Sequence, residues 1–160
     1  MINHIGIPVS DVARATEFYS KALAPLGISI GHGGVSRESG HGAAVGFGAS
    51  LKPFFWIGEA EGLSGGHVDV AFAAPSRAAV DAFPPAVDAF YRAAIAAGGK
   101  DNGPPGLRPH YHANYYGAFV LDPNGHNIEA VCHPRSSSEA VAHQKKRSSS
   151  GAPGREGLRS

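Results

Sequence analysis

His4, His67 and Glu129 are the side chains of this sequence best suited to hold a divalent cation. His4 and His67 each stand near the start of an apolar, strand-like segment, 63 residues apart. Glu129 sits among apolar neighbours in Asn127-Ile128-Glu129-Ala130-Val131-Cys132. A carboxylate buried in such a strand must be paired or bind a cation, because bare burial is costly. Two imidazoles and one carboxylate form a facial set that leaves open positions on a divalent metal. Zinc, iron, nickel and manganese all suit such donors. Two plainer readings stay open: a strand histidine can be a satisfied polar residue, and Glu129 can lie at a solvated edge.

A second concentration of reactive groups runs from Arg108 to Tyr116 (Arg-Pro-His-Tyr-His-Ala-Asn-Tyr-Tyr). Guanidinium, imidazole and phenol groups there can orient an anionic or oxygenated ligand and move protons. His112 and Tyr115 are the catalytic candidates of this segment; an aromatic surface loop is the alternative. The remaining histidines carry less. His32, His41 and His126 lie in or beside glycine-rich turns, where exposure is expected, His133 closes the last strand and His143 lies in the tail. Cys132 has no activating neighbour and reads as an inert buried thiol.

The elements that must position these groups repeat once. Ile2–Val9 reads as a strand, and Ser10 or Asp11 can cap a helix carried by Val12, Ala15, Phe18, Tyr19, Ala22 and Leu26. Pro25 and Gly27 end it. Three short segments, Ile28–His32, Ala43–Gly48 and Pro53–Gly58, read as antiparallel strands. After Gly65-Gly66 the order restarts: strand His67–Ala73, an alanine-rich helix from Ser76 towards Gly98-Gly99, then strands near His110–Ala113, Tyr116–Leu121 and Asn127–Cys132. The Gly98–Pro109 stretch reads as a connection, and Asp122-Pro123-Asn124-Gly125 as a tight turn. Pro84-Pro85 should break the second helix. Val80-Asp81-Ala82-Phe83 recurs as Val87-Asp88-Ala89-Phe90, which suggests a tandem insertion at the surface; chance similarity is the alternative. The fold class is α+β: two paired β-α-β-β-β modules, about residues 1–62 and 65–133. Trp56 and Glu129, 73 residues apart, occupy the last strands of the two modules.

The chain has 160 residues, 42% hydrophobic and 17% charged, which fits one folded domain and excludes disorder or a collagen-like chain. The single cysteine rules out an intramolecular disulfide framework and fits a reducing, cytoplasmic compartment. No run approaches a membrane span, and the N-terminus lacks signal-peptide features. Residues 134–160 hold six basic and two acidic residues, a net +4 that leaves −3 on residues 1–133. This serine-rich segment reads as a flexible tail dispensable for folding. With net charge +1, no nucleic-acid partner and no membrane partner are expected.

Two motifs carry a family resemblance. His4-Ile5-Gly6-Ile7-Pro8-Val9-Ser10-Asp11, followed by Ala15-Thr16-Glu17-Phe18-Tyr19, resembles the opening of a vicinal oxygen chelate module. Asp122-Pro123-Asn124-Gly125-His126-Asn127-Ile128-Glu129 resembles its closing motif, Asp-Pro-x-Gly-x-x-x-Glu. This is the superfamily of glyoxalase I, bleomycin-resistance proteins and extradiol dioxygenases, and the resemblance spans about residues 1–133. It implies a cup-shaped mixed sheet around a metal or ligand site, a small-molecule substrate and a homodimer. Carried over by position, it implies His4, His67 and Glu129 as metal ligands. Glyoxalase I usually supplies a fourth ligand where Trp56 stands, which disfavours a methylglyoxal–glutathione lyase. Two histidines and a glutamate match the iron(II) pattern of the dioxygenases. His112 stands where those enzymes place an acid/base histidine, and Phe119 where they carry a tyrosine, a role for which Tyr115 or Tyr116 could substitute. The resemblance thus implies a metal-dependent lyase, isomerase or oxygenase acting on vicinal oxygens. Its alternative is a non-catalytic drug-binding protein with Phe47, Phe54, Trp56 and Tyr116 lining an apolar cleft.

Overall fold

The computed structural model describes residues 2–36, 43–49, 52–59, 66–75, 85–111 and 114–132. The first module comprises β1 (Ile5–Val9), α1 (Val12–Leu23), a 3₁₀ turn (Ala24–Leu26), β2 (Ser29–Ser36), β3 (Ala44–Gly48) and β4 (Phe55–Glu59). The second comprises β5 (Asp69–Ala73), α2 (Pro85–Ala96), β6 (Lys100–Leu107), β7 (Tyr116–Leu121) and β8 (Asn127–Cys132). Each forms a four-stranded mixed sheet, ordered β1-β4-β3-β2 and β5-β8-β7-β6. In each, the first and last strands pair in parallel and the other neighbours are antiparallel. The α+β class and the paired β-α-β-β-β modules are therefore as the sequence implies.

Local chemistry sets the boundaries. The Asp11 carboxylate accepts from the Arg14 amide at 2.9 Å and starts α1. Gly27 takes φ 74° and closes the 3₁₀ turn, a conformation that suits glycine. The described part of α2 begins at Pro85, a residue whose fixed φ suits the first turn of a helix. The expected break at the proline pair involves Pro84 and the segment before it, which lie outside the described residues with Ser76 and the first copy of the tandem motif, as do residues 134–160. The surface placement of the second copy does not hold. Val87 and Phe90 are fully buried in the core. Their spacing of three puts both on the inner face of α2.

Gly98–Pro109 is also more than a connection. Lys100–Leu107 pairs with β7 as an edge strand, with register shifts on either side of Gly103. Prolines are tolerated there because an edge strand leaves one side unpaired.

The two modules share one core. Helix α1 packs on α2. A run of aromatic contacts crosses between modules: Phe18–Tyr19 at 5.0 Å, Tyr19–Phe55 at 5.0 Å and Phe55–Phe72 at 5.1 Å, all edge-on. Polar contacts add a latch. The Tyr19 hydroxyl donates to Asp122 Oδ2 at 2.7 Å, and Asp122 Oδ1 accepts the Asn124 and His126 amides at 2.8 Å each. Asn124 Oδ1 accepts from the Ser10 amide and hydroxyl at 2.9 and 2.8 Å. His126, expected at the surface, is only 2% exposed. Its Nδ1 accepts from the Val68 amide at 3.2 Å, so the proton lies on Nε2, which donates to the Pro8 carbonyl at 2.8 Å. The Asp-Pro-x-Gly turn therefore fastens the end of β1 to the second module.

Candidate active site

The open face of the second sheet follows from strand alternation. Val70, Phe72, Ile128 and Ala130 point into the core. Asp69, Ala71, Asn127 and Glu129 share the opposite face. Register places Glu129 between Ala71 of β5 and Phe119 of β7. Glu129 nonetheless stays 5% exposed, and it lines a cavity of about 580 Å³.

Two hydrogen-bonded groups meet there. The Tyr115 hydroxyl donates to Glu129 Oε1. A Cβ at Gly117 would lie 3.1 Å from that same oxygen and 3.1 Å from the Tyr115 ring, so glycine makes room for the pair. Beside them, Asn102 Nδ2 donates to Asn127 Oδ1 at 2.9 Å, and Asn127 Nδ2 donates to Asp69 Oδ1 at 2.8 Å. The rim is aromatic: His110 lies tilted against Tyr111 at 4.3 Å, and Tyr111 meets Tyr115 edge-on at 5.2 Å.

Burial pushes the Glu129 carboxyl above the ordinary carboxylate range. The Asp69 charge adds to this, while the Tyr115 bond and Arg108 pull the other way. The Tyr115 phenol is raised, first by burial and then by its bond to Glu129, so it remains a donor. A carboxyl of raised pKa next to a phenol is equipped to take and return a proton. Burial also raises the Cys132 thiol, in keeping with an inert residue.

Of the site residues read from the sequence, Tyr115 and Glu129 meet directly. His112 lies outside the described residues. His4 is exposed ahead of β1 on the first sheet, its nearest polar partner being Asn3 at 3.3 Å. His67 is exposed ahead of β5, its ring lying where a Cβ on Gly125 would come within 2.9 Å, and 6.5 Å from the His126 ring. Register explains the separation. Gly6, Trp56 and Gly46 pair across the first sheet as Ala71, Glu129 and Phe119 do across the second. The counterpart of His4, two residues before Gly6, is therefore Asp69, two residues before Ala71. His67 lies two residues further back, at the turn. Among the described residues, no three of His, Cys, Asp and Glu converge as a metal-binding set. The carboxylates that do share the cavity, Asp69 and Glu129, are each engaged by a hydrogen bond. Among the described residues, the cavity sets Asp69 and Glu129 with the His110 imidazole, and neither His4 nor His67 lines it.

The apolar cleft reads differently too. Phe47 is fully buried against Tyr19 and Phe55. The Tyr116 hydroxyl donates to Asp88 at 2.8 Å, and its phenol is pushed up to about 12, chiefly by burial. Trp56 and Phe54 remain partly exposed. Trp56 lies over Gly46, whose Cβ would meet the indole at 3.0 Å. Sequence reasoning placed Arg108 among the ligand-orienting groups but missed Asp69, Asn102 and Asn127, which line the same cavity.

The profile of the Glyoxalase/Bleomycin resistance protein/Dioxygenase superfamily matches residues 1–130. The chain belongs to this superfamily. A glyoxalase/bleomycin resistance protein from Albidiferax ferrireducens T118 is similar at 29% identity and a TM-score of 0.60, over 82% of this chain and 98% of that one. A glyoxalase I mutant from Zea mays shares the fold at 18% identity and a TM-score of 0.59, over 88% of this chain and 47% of that one. A glyoxalase-related enzyme from Fulvimarina pelagi does so at 16% identity and a TM-score of 0.58, over 86% and 93%. No curated protein matches the chain. No helix among the described residues is long and apolar enough to cross a membrane.

Proposed function

We propose that this glyoxalase-superfamily chain is an enzyme that moves a proton on a small oxygenated substrate held against the second sheet. The Tyr115–Glu129 pair in the cavity carries this reading. Glu129 takes the proton from a carbon beside a carbonyl and returns it, using the oxygen that Tyr115 does not engage. Tyr115 holds the carboxyl in place, and Tyr111 and His110 stand at the exposed rim of the cavity. General-base assistance of this kind contributes roughly 10²–10⁴-fold. Removal of the proton leaves an enolate-like intermediate and a protonated Glu129, the common start of isomerase and lyase chemistry, and return of the proton consumes it. The proton transfer is assigned to the cavity's own groups, because among the described residues neither His4 nor His67 lines it.

Sequestration of an apolar drug is less well supported, because two of its four expected aromatic walls are tied into the core or to Asp88 while the cavity found is lined by polar groups. The test is proton–deuterium exchange in D2O over a panel of small hydroxy- and oxo-compounds, followed by NMR. Exchange catalysed by the wild type and lost in a folded Glu129→Gln variant supports the proposal. Catalysed exchange that persists in Glu129→Gln, or no catalysed exchange across the panel, refutes it.

A further inference from the structure

The guanidinium of Arg108 is held on the cavity wall in a seat built for it. Its Nη2 donates to the Pro104 carbonyl at 2.6 Å and its Nη1 to the Leu107 carbonyl at 3.3 Å. It lies 5.4 Å from the centre of the Phe119 ring, within cation–π range. The Gly-Pro-Pro-Gly run of β6 makes this possible. A Cβ at Gly106 would come within 2.8 Å of Nη1, and one at Gly103 within 2.9 Å of Phe119 and 3.4 Å of Nη2. Gly103 also takes φ 149°, which side-chain-bearing residues rarely adopt. The Arg108 amide, bonded to the Tyr115 carbonyl at 2.7 Å, ties the seat to the residue that holds Glu129.

Among the described residues, no acidic side chain lies within ion-pair distance of the seat. The two carbonyls use only part of the donor set of Arg108. A half-buried, pre-positioned guanidinium facing a cavity is suited to a planar anion, which it can meet with two parallel N–H bonds. The negative charge of Asp69 in the same cavity favours a singly charged anion over a doubly charged one.

Building on the proton-transfer reading above, we propose that Arg108 is the specificity-determining anchor for a substrate carboxylate. The substrate class is then a small hydroxy- or oxo-carboxylate. Its acid group lies on Arg108 above Phe119, and its reacting carbon is directed towards Glu129 and Tyr115. Ordering of the guanidinium before binding removes part of the entropic cost of fixing the ligand.

The test compares pyruvate and mandelate with the neutral pyruvamide and mandelamide, and with inorganic phosphate. Binding is followed by NMR on the Arg108 Nε–H and the Gly103 and Gly106 amides. The carboxylates should bind the wild type at least about tenfold more tightly than their amides and more tightly than phosphate. Arg108→Gln should abolish that preference, whereas Arg108→Lys, which keeps the charge and loses the fork, should retain a weakened one. Gly106→Ala, which crowds the seat while leaving the arginine, should also weaken carboxylate binding. Glu129→Gln should keep or strengthen it, because it removes a neighbouring acid. Equal binding of acids and amides, tighter binding of phosphate, no carboxylate response, or a preference that survives Arg108→Gln would each overturn the anchor. Loss of the anchor with Glu129-dependent exchange intact removes only the substrate class. An intact anchor without exchange leaves a carboxylate-binding pocket and removes the proton-transfer reading.

Discussion

Replacing Asp122 by alanine tests the latch between the modules. Asp122 is 3% exposed and accepts three hydrogen bonds, from the Tyr19 hydroxyl and the Asn124 and His126 amides. Tyr19 and His126 are buried, at 0% and 2% exposure, so water cannot readily replace the lost acceptor for them. Each buried donor left unpaired costs ~1–3 kcal/mol. The half-buried Asn124 amide can recover part of its loss from solvent. Asp122→Ala should therefore destabilise the fold by ~3–5 kcal/mol, a large share of the ~5–15 kcal/mol typical of a domain. Tyr19→Phe removes one bond to a carboxylate and should cost ~1.5–3 kcal/mol. Because the two variants share that bond, the double variant should fall short of their sum by ~1–2 kcal/mol. Urea unfolding with an unchanged slope measures all three. A loss under ~1 kcal/mol for Asp122→Ala, or strict additivity with Tyr19→Phe, would refute the latch.

Three further outcomes are expected. Phe55→Ala empties the fully buried ring that bridges Tyr19 and Phe72, and should cost ~3–5 kcal/mol in the same unfolding assay. Gly117→Ala should push Tyr115 from Glu129, since a methyl has only 3.1 Å to each; Glu129-dependent exchange should fall severalfold while the far-ultraviolet spectrum is retained. Glu129 binds its proton more tightly in the folded state, so its contribution to stability is complete below the ordinary carboxylate range and is lost as pH rises through its raised value. The stability of the wild type relative to Glu129→Gln should decline over that window, and a flat difference would contradict the cause assigned to the shift.

Much of this arrangement is legible in the sequence, and the failures have physical reasons. Tyr116–Leu121 and Asn127–Cys132 alternate or run apolar between clear turn residues, so both strands appear with the expected bounds. Strand β6 is hidden by Gly103-Pro104-Pro105-Gly106, because composition alone cannot separate a linker from an edge strand whose glycines seat an arginine. The match of His4 to His67 rests on residue type, whereas position in a parallel pair is set by which side chains enter the core. Aligning Ile5, Ile7 and Val9 with Val70, Phe72 and Ala74 would have matched His4 to Asp69. His126 looks exposed because it follows a turn. Its burial depends on Pro8 and Val68, contacts that local sequence cannot reveal.

Proton transfer by Glu129 is tested by the rate of substrate C–H exchange in D2O for wild type and Glu129→Gln, measured side by side on the best substrate of the panel. Both proteins should be folded, as judged by the same amide spectrum away from the cavity. The wild type should exchange at least about 100-fold faster, the lower end of general-base assistance. Equal rates in the two proteins would contradict the assignment of the proton to Glu129.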